Sequence, residues 1–318
     1  TFPLVGGSNG FDPRVDLREL TNGSLSTEYN YMVSLLGNAD EYDFNLIALP
    51  GVNAGNAANG GLPQRVIDMV TDRGDAFYIM DIADSSIRST SGAVDSTIDG
   101  VVSVANSYDT NYAAAYFPWV RIMDTDSQRL VWVPPSVDIL GVYAFNDKVG
   151  QQWFAPGGFN RGIMSAVEAR LRLNITQRDT LYASKVNPIA TFSGQGPVVW
   201  GQKTLQTRAS ALDRVNVRRL LILTKKLIAS VAKYFAFEPN TAAVRDALVN
   251  QINPILKRIQ EKQGIDQFRV IIDETNNTPD VIDRNQMIGT IYIIPTRTSE
   301  GLLFKFNILR TGQTLFEA

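Results

Sequence analysis

The sequence predicts an α/β unit followed by a smaller α+β unit: a three-layer sheet domain with parallel β-α-β units, then two long helices packed on a β-sheet. Three observations carry this expectation. In residues 1–175, short and almost wholly apolar runs alternate with helical patterns, as strands buried on both faces of a parallel sheet require. Ser210–Phe237 and Thr241–Gln263 are two long patterns in succession, each apolar on one side at helical spacing. Behind them come strand-like runs, the last alternating in the manner of a half-buried sheet. With 318 residues, 44% of them hydrophobic, about two domains with ordinary cores are expected.

In order, Ser24–Leu36 reads as a helix and Phe44–Gly51 as a buried strand. Leu62–Asp72 is a helix with Pro63 in its first turn, where a missing N–H costs nothing. Ala76–Ile82 is the next strand and Ala93–Ser107 the next helix; Ala113–Phe117 and Leu130–Val133 are strand-like, and Pro135–Val149 is helical. After Gly150 the texture changes. A helix is expected through Arg170 and a short one over Thr176–Lys185, after which Pro188, Gly194, Gly196 and Pro197 break the chain before a strand at Val198–Leu205. The boundary is placed near Asn174, giving domains 1–175 and 176–318.

The second half is organised around Ser210–Phe237. Val217, Leu220, Leu221, Leu227, Ile228, Val231, Tyr234 and Phe235 share its apolar face, and Arg214, Arg218, Arg219, Lys225, Lys226 and Lys233 the opposite arc. No acidic residue between Asp213 and Glu238 neutralises them locally, so the arc reads as an exposed basic stripe. Thr241–Gln263 follows, kinked or restarted at Pro254, with Lys257, Arg258 and Lys262 placed to suit the negative end of the helix dipole. Phe268–Asp273 and Met287–Pro295 are strands joined by an extended polar connection; Gly301–Leu309 is an edge-type strand before a short tail.

Composition excludes much chemistry. There is no cysteine and no histidine, so disulfides and thiolate metal sites are impossible and the commonest general base is missing. No apolar run approaches the roughly 20 residues of a membrane span, and no membrane insertion is expected. The net charge of −2 hides a split: residues 1–175 carry 11 Lys and Arg against 20 Asp and Glu, and residues 176–318 carry 19 against 12. The two parts therefore face different surroundings, or face each other.

Three features of the first half invite a chemical reading. Gly51–Gly61 is a glycine-rich loop between a strand and a helix, where phosphates are cradled, but it lacks both the dinucleotide and the P-loop spacing. Asp81 and Asp84 stand at the carboxyl end of a strand, where two carboxylates can hold Mg²⁺ or serve a turn or a cap. Tyr108, Tyr112, Tyr116, Phe117 and Trp119 can stack bases, yet their half is acidic and repels phosphates. The first two features sustain an alternative, a Mg-dependent nucleotide or phosphoester hydrolase, and the basic helices a nucleic-acid-binding one. Neither accounts for the motifs that come next, and no catalytic, cofactor or metal residue is assigned.

Pro156–Gly162 (PGGFNRG), Val186–Ile189 (VNPI), Val198–Leu205 (VVWGQKTL), Leu212–Leu221 (LDRVNVRRLL), Phe237–Asn240 (FEPN) and Asp273–Asn285 (DETNNTPDVIDRN) resemble, in order, tail sheath proteins of contractile-tailed bacteriophages. The resemblance is specific from about residue 150 onward and looser before. It implies the central and C-terminal portion of a sheath subunit, with an arm and further domains upstream of Thr1. It also implies a structural virion part, made in the host cytoplasm, that uses no cofactor and binds no nucleic acid. Such subunits polymerise as sixfold rings around a tail tube, meet baseplate and tail terminator proteins, exchange terminal arms as added strands, and contract to drive the tube through the host envelope. On that reading residues 1–175 are outer and 176–318 inner. Lys257, Arg258 and Lys262, then Arg218, Lys225 and Lys226, become the tube-facing candidates, and Thr314, Leu315 and Phe316 the arm that links subunits.

Overall fold

A computed structural model of the chain describes residues 24–56, 61–83, 94–125 and 128–300, with side chains described from Glu28. Helix α1 is Ser24–Leu36, followed by β1 (Leu46–Asn53), α2 (Leu62–Arg73), β2 (Phe77–Asp81), α3 (Val94–Asn106) and β3 (Ala113–Phe117). These agree closely with the sequence expectation because the signals are local: buried apolar runs bounded by glycine, and Pro63 with Gly74 marking the ends of α2. β1, β2 and β3 pair in parallel. Every residue of β2 and β3 is buried, and successive side chains feed opposite faces. Tyr78, Met80, Ala115 and Phe117 join Val66, Val70, Ile98 and Leu181 in one core. Phe77, Ile79, Ala114 and Tyr116 join Ile139, Val142 and Tyr143 in another.

The chain then departs from expectation. β4 (Val120–Asp124) and β5 (Arg129–Val133) form an antiparallel pair, and β6 (Glu168–Ala169) adds to the free side of β4. The helix expected through Arg170 is absent, apart from the single turn α5 (Gly158–Arg161). From Ile163 to Val167 exposure alternates, with Met164 and Ala166 inside, and this period of two belongs to extended chain. Val167 N–H donates to the Arg121 carbonyl (2.8 Å) and Arg170 N–H to the Trp119 carbonyl (2.8 Å).

α4 (Pro135–Val149), expected as such, covers one face of the main sheet, and α6 (Ile175–Ala183) lies near the other. α6 starts with a reciprocal cap between Asn174 and Gln177. β7 (Val186–Phe192) pairs parallel with β3, and β8 (Gly196–Val199) antiparallel with β7, giving the order β1-β2-β3-β7-β8. Pro188 was expected to break the chain; it lies within β7, at the last position paired to β3, where a missing donor interrupts the ladder least. The sheet thus crosses the expected boundary at 175/176, since its last two strands come from residues beyond it.

Asp81, at the end of β2, is nearly fully buried. Its carboxylate accepts from Ser136 N–H (3.0 Å) and Ser136 Oγ (2.6 Å). It therefore caps α4, whose own N-cap, Pro134, offers no side-chain oxygen. Burial pushes its pKa up to about 7, against the pull of donors from Ser136 and Gly51. The folded state thus binds the Asp81 proton more tightly than the unfolded chain, so this group's contribution to stability falls as pH rises from about 4 to about 7, by up to ~1.4 kcal/mol per unit. Asp81→Asn preserves the shape and removes the charge. Denaturant titrations across this range are expected to show the variant gaining on the wild type as pH rises; a wild-type advantage that widens with pH contradicts the assignment.

The C-terminal part contains α7 (Val215–Ala232), α8 (Ala242–Glu261), β9 (Ile265–Ile271), α9 (Pro279–Asp283) and β10 (Thr290–Pro295). The helix expected over Ser210–Phe237 is the 18-residue α7, with a 3-10 turn just before and just after it. α8 carries Pro254 inside it and is capped by Thr241, whose hydroxyl accepts from Val244 N–H. β9 and β10 pair antiparallel. The expected extended connection between them contains α9, with Pro279 in its first turn. Leu220, Leu248, Ile252, Leu256, Ile259 and Ile265 form the core here, and Trp153 reaches in, its indole N–H donating to the Lys262 carbonyl (3.0 Å). The strand expected at Gly301–Leu309 lies outside the described residues.

Candidate functional site

The basic arc of α7 is not a free surface. Arg218 and Arg219 are buried. The Arg218 guanidinium lies over the Tyr112 ring (4.0 Å) and donates to Asn111 Oδ1; burial pulls its pKa below the ordinary arginine value. Arg219 pairs with Asp147 on α4 (2.6 Å) and lies over the Tyr143 ring (4.8 Å). Arg214 pairs with Glu300 (2.7 Å) and Asp213 (3.0 Å). Lys226 reaches the end of the loop before β1, with Asp43 at 2.5 Å, the Phe44 carbonyl at 2.9 Å and Asn45 Oδ1 at 2.6 Å. Lys225 stands 3.5 Å from the Tyr112 hydroxyl, and Lys233 lies 3.5 Å from Asp40 in a largely exposed pair.

The exposed-stripe expectation is therefore corrected. The carboxylates that neutralise this helix come from distant segments, so a local count of acidic residues does not reveal them. The charge split between the halves is in part the two halves facing each other. The hydrophobic side is corrected as well: Val217 and Leu220 are buried, but Leu227 and Tyr234 are exposed. The N-terminal half of α7 packs between the sheet unit and α8, while Leu223, Ile228 and Val231 of its later turns pack in the core shared with α8 and β9.

Lys257, Arg258 and Lys262 behave differently. They are exposed on the last turns of α8, opposite buried Leu256 and Ile259, and they enter no ion pair among the described residues. Nearby, the β9–β10 ribbon has only two strands among the described residues and leaves Tyr292 and Ile294 exposed. Thr314, Leu315 and Phe316 lie outside the described residues.

The features read chemically in the first half find structural roles. Asp81 is a helix cap, and Asp84 lies outside the described residues, as do residues 57–60 of the glycine-rich loop. Tyr116, Phe117 and Trp119 are core residues, and the Trp119 indole N–H donates to the Ala83 carbonyl (2.8 Å). Tyr112 underlies Arg218. Among the described residues no cluster of three or more metal-ligating side chains occurs.

A mixed α/β sheet body is joined by buried arginines to a helical unit that carries, among the described residues, a two-stranded ribbon. The chain belongs to the phage tail sheath family: residues 27–205 match the family described as phage tail sheath protein central domain, and residues 207–308 the one described as phage tail sheath C-terminal domain. It is 42% identical over 200 residues to the tail sheath protein of Vibrio phage KVP40, covering 62% of this chain and 29% of that protein. The tail sheath protein of Enterobacteria phage T4 is 39% identical over 182 residues, 57% of this chain and 28% of that one. That of Salmonella phage ViI is 29% identical over 299 residues, 90% and 47%. The chain thus spans less than half the length of these relatives.

Solved structures share the fold. A chain of the anti-feeding prophage baseplate superposes with a TM-score of 0.70 at 21% identity, covering 96% of this chain and 83% of that one. A chain of the contracted sheath complex of an extracellular contractile injection system gives 0.69 at 23% identity, covering 86% and 74%. The family is one of structural sheath proteins, not enzymes, which removes the hydrolase alternative.

Proposed function

We infer that this chain is the central and C-terminal portion of a sheath subunit that polymerises as sixfold rings around a tail tube, and that contraction of the rings drives the tube through the host envelope. The observation that carries this reading is the succession of both sheath domains, in order, across residues 27–308. The protein then resides in the virion tail after synthesis in the host cytoplasm, and its partners are other sheath subunits, the tube, the baseplate and the tail terminator. Contraction of this kind needs no nucleotide: a metastable assembly releases energy as packed subunits move as rigid bodies. The buried Arg218 and Arg219 contacts suit that task, because they couple the sheet unit to α7.

The functional division falls after about residue 205 in this reading, with a three-layer sheet unit outside and the α7–α8 unit inside. Lys257, Arg258 and Lys262 face the tube, with Lys225 next; Arg218 and Lys226 are already occupied within the chain. The β9–β10 ribbon suits added strands from neighbouring subunits, and Thr314, Leu315 and Phe316 are a β-prone segment for that exchange. Electron microscopy of the full-length subunit tests the reading. Hollow tubes are expected on polymerisation; a protein that stays monomeric at every concentration and salt condition overturns it.

A further inference from the structure

The turn between α7 and α8 carries a feature its own subunit does not explain. Tyr234 is 83% exposed and Phe237 wholly exposed, although Phe235 between them packs inward. Phe237 also holds a left-handed backbone, φ 70°, a conformation that a bulky aromatic adopts at a cost and that glycine or asparagine adopts readily. The turn is held in place. Asn240 donates to the Gln286 carbonyl (2.9 Å) and accepts from Arg245 (3.0 Å), and Thr241 N–H donates to the Pro239 carbonyl (2.8 Å). An aromatic side chain is thus presented on a braced turn, with the exposed carboxylate of Glu238 beside it.

A complementary surface lies on the sheet unit. Phe159, Phe192 and Trp200 form a three-ring cluster with centroids 4.8–5.4 Å apart, and Phe159 and Trp200 are each 41% exposed. Arg178 lies over Phe192 (5.2 Å). Trp200, Arg178 and Arg161 also line a groove of about 390 Å³ that opens beside the cluster. Asp179, exposed on the same rim, opposes a carboxylate arriving from its side and so orients the approach.

The two surfaces of one chain cannot meet. Arg214, just before α7, is bonded to Glu300 in the groove wall, whereas Phe237 lies beyond the far end of that 18-residue helix, about 27 Å away at the helical rise. We propose that the Tyr234–Glu238 turn of one subunit docks on the Phe159–Phe192–Trp200 cluster of a second copy of this chain, with Phe237 against the rings and Glu238 on Arg178. Such a contact is heterologous and propagates from copy to copy. It also places α7 between the donor and acceptor surfaces of every subunit, so that movement at one contact is passed rigidly to the next. The inference rests on the reading that subunits polymerise.

The chain has no cysteine, so single-cysteine variants report contacts cleanly. Differently tagged Phe237→Cys and Phe159→Cys chains, mixed with a short bifunctional maleimide, are expected to give at least tenfold more mixed dimer than Phe237→Cys with Lys257→Cys. Adding Glu238→Arg to the first chain reduces the yield about tenfold, and Arg178→Glu in the second restores it. Phe237→Gly raises the melting temperature of the isolated chain while weakening assembly, which separates this role from a folding role. A yield at the Lys257→Cys background, or no rescue by the paired reversal, overturns the contact. If full-length subunits nevertheless form tubes, the contact alone is wrong; if they form none, the sheath reading fails with it.

Discussion

Asp147→Ala is expected to be among the most damaging single substitutions in the chain, lowering its stability by about 3–5 kcal/mol. The reason is asymmetry within the pair. The Arg219 side chain is 4% exposed and that of Asp147 26%. Removing Asp147 strands a buried cation whose Nη1 already lacks a partner and whose remaining support is the Tyr143 ring. Removing Arg219 instead leaves a carboxylate that water reaches. Arg219→Met keeps the apolar stem and is expected to cost no more than about 1–2 kcal/mol. The double variant Asp147→Ala/Arg219→Met should then be more stable than Asp147→Ala alone. Equilibrium denaturation of the four proteins checks this, and a double variant that loses the sum of the two single losses denies that the pair joins the units.

Reversing Lys257, Arg258 and Lys262 to Glu together is expected to abolish co-assembly with the tube while lowering the melting temperature only modestly, since carboxylates at the negative end of α8 cost about 0.3–1 kcal/mol each. Exposed pairs contribute only about 0–1 kcal/mol each, so one reversal does little. Repetition over many rings multiplies the small term by avidity. The three positions are exposed and enter no internal ion pair among the described residues, which is why the fold tolerates the change. The same reversal at Arg218 and Lys226 reads out differently: both make contacts within the chain, and those variants lose folding stability first. Co-sedimentation with purified tubes at ordinary salt distinguishes the two sets; a triple variant that still sheathes tubes removes Lys257, Arg258 and Lys262 from the contact.

Much of the fold was legible because its signals are local. Buried runs such as Phe77–Asp81 and Ala113–Phe117, the proline and glycine ends of α2, and the Thr241 cap each specify their element within a few residues. The errors lie where a partner distant in sequence decides. Met164–Ala169 alternates in character, but it becomes extended chain only because β4 and β8 offer free groups. Val186–Phe192 contains a proline and is nevertheless a strand, because β3 stands open beside it. The basic face of α7 was read from its own sequence, while Asp43, Tyr112, Tyr143 and Asp147, which occupy it, lie about 70 to 180 residues away. The opposite charges of the two halves were the available sign of that contact, and they do not by themselves distinguish facing each other from facing other partners. Phe237 is legible only as the first residue of the FEPN motif; that it is exposed and held in a left-handed turn is invisible without backbone angles.

The most direct test of the account is a cryo-EM reconstruction of the full-length subunit polymerised on its tail tube. The expected result is a sixfold hollow sheath in which α8 lines the channel, Lys257, Arg258 and Lys262 meet acidic tube residues, and the five-stranded sheet faces outward. A polymer with α8 on its outer surface, or with the five-stranded sheet against the tube, contradicts it.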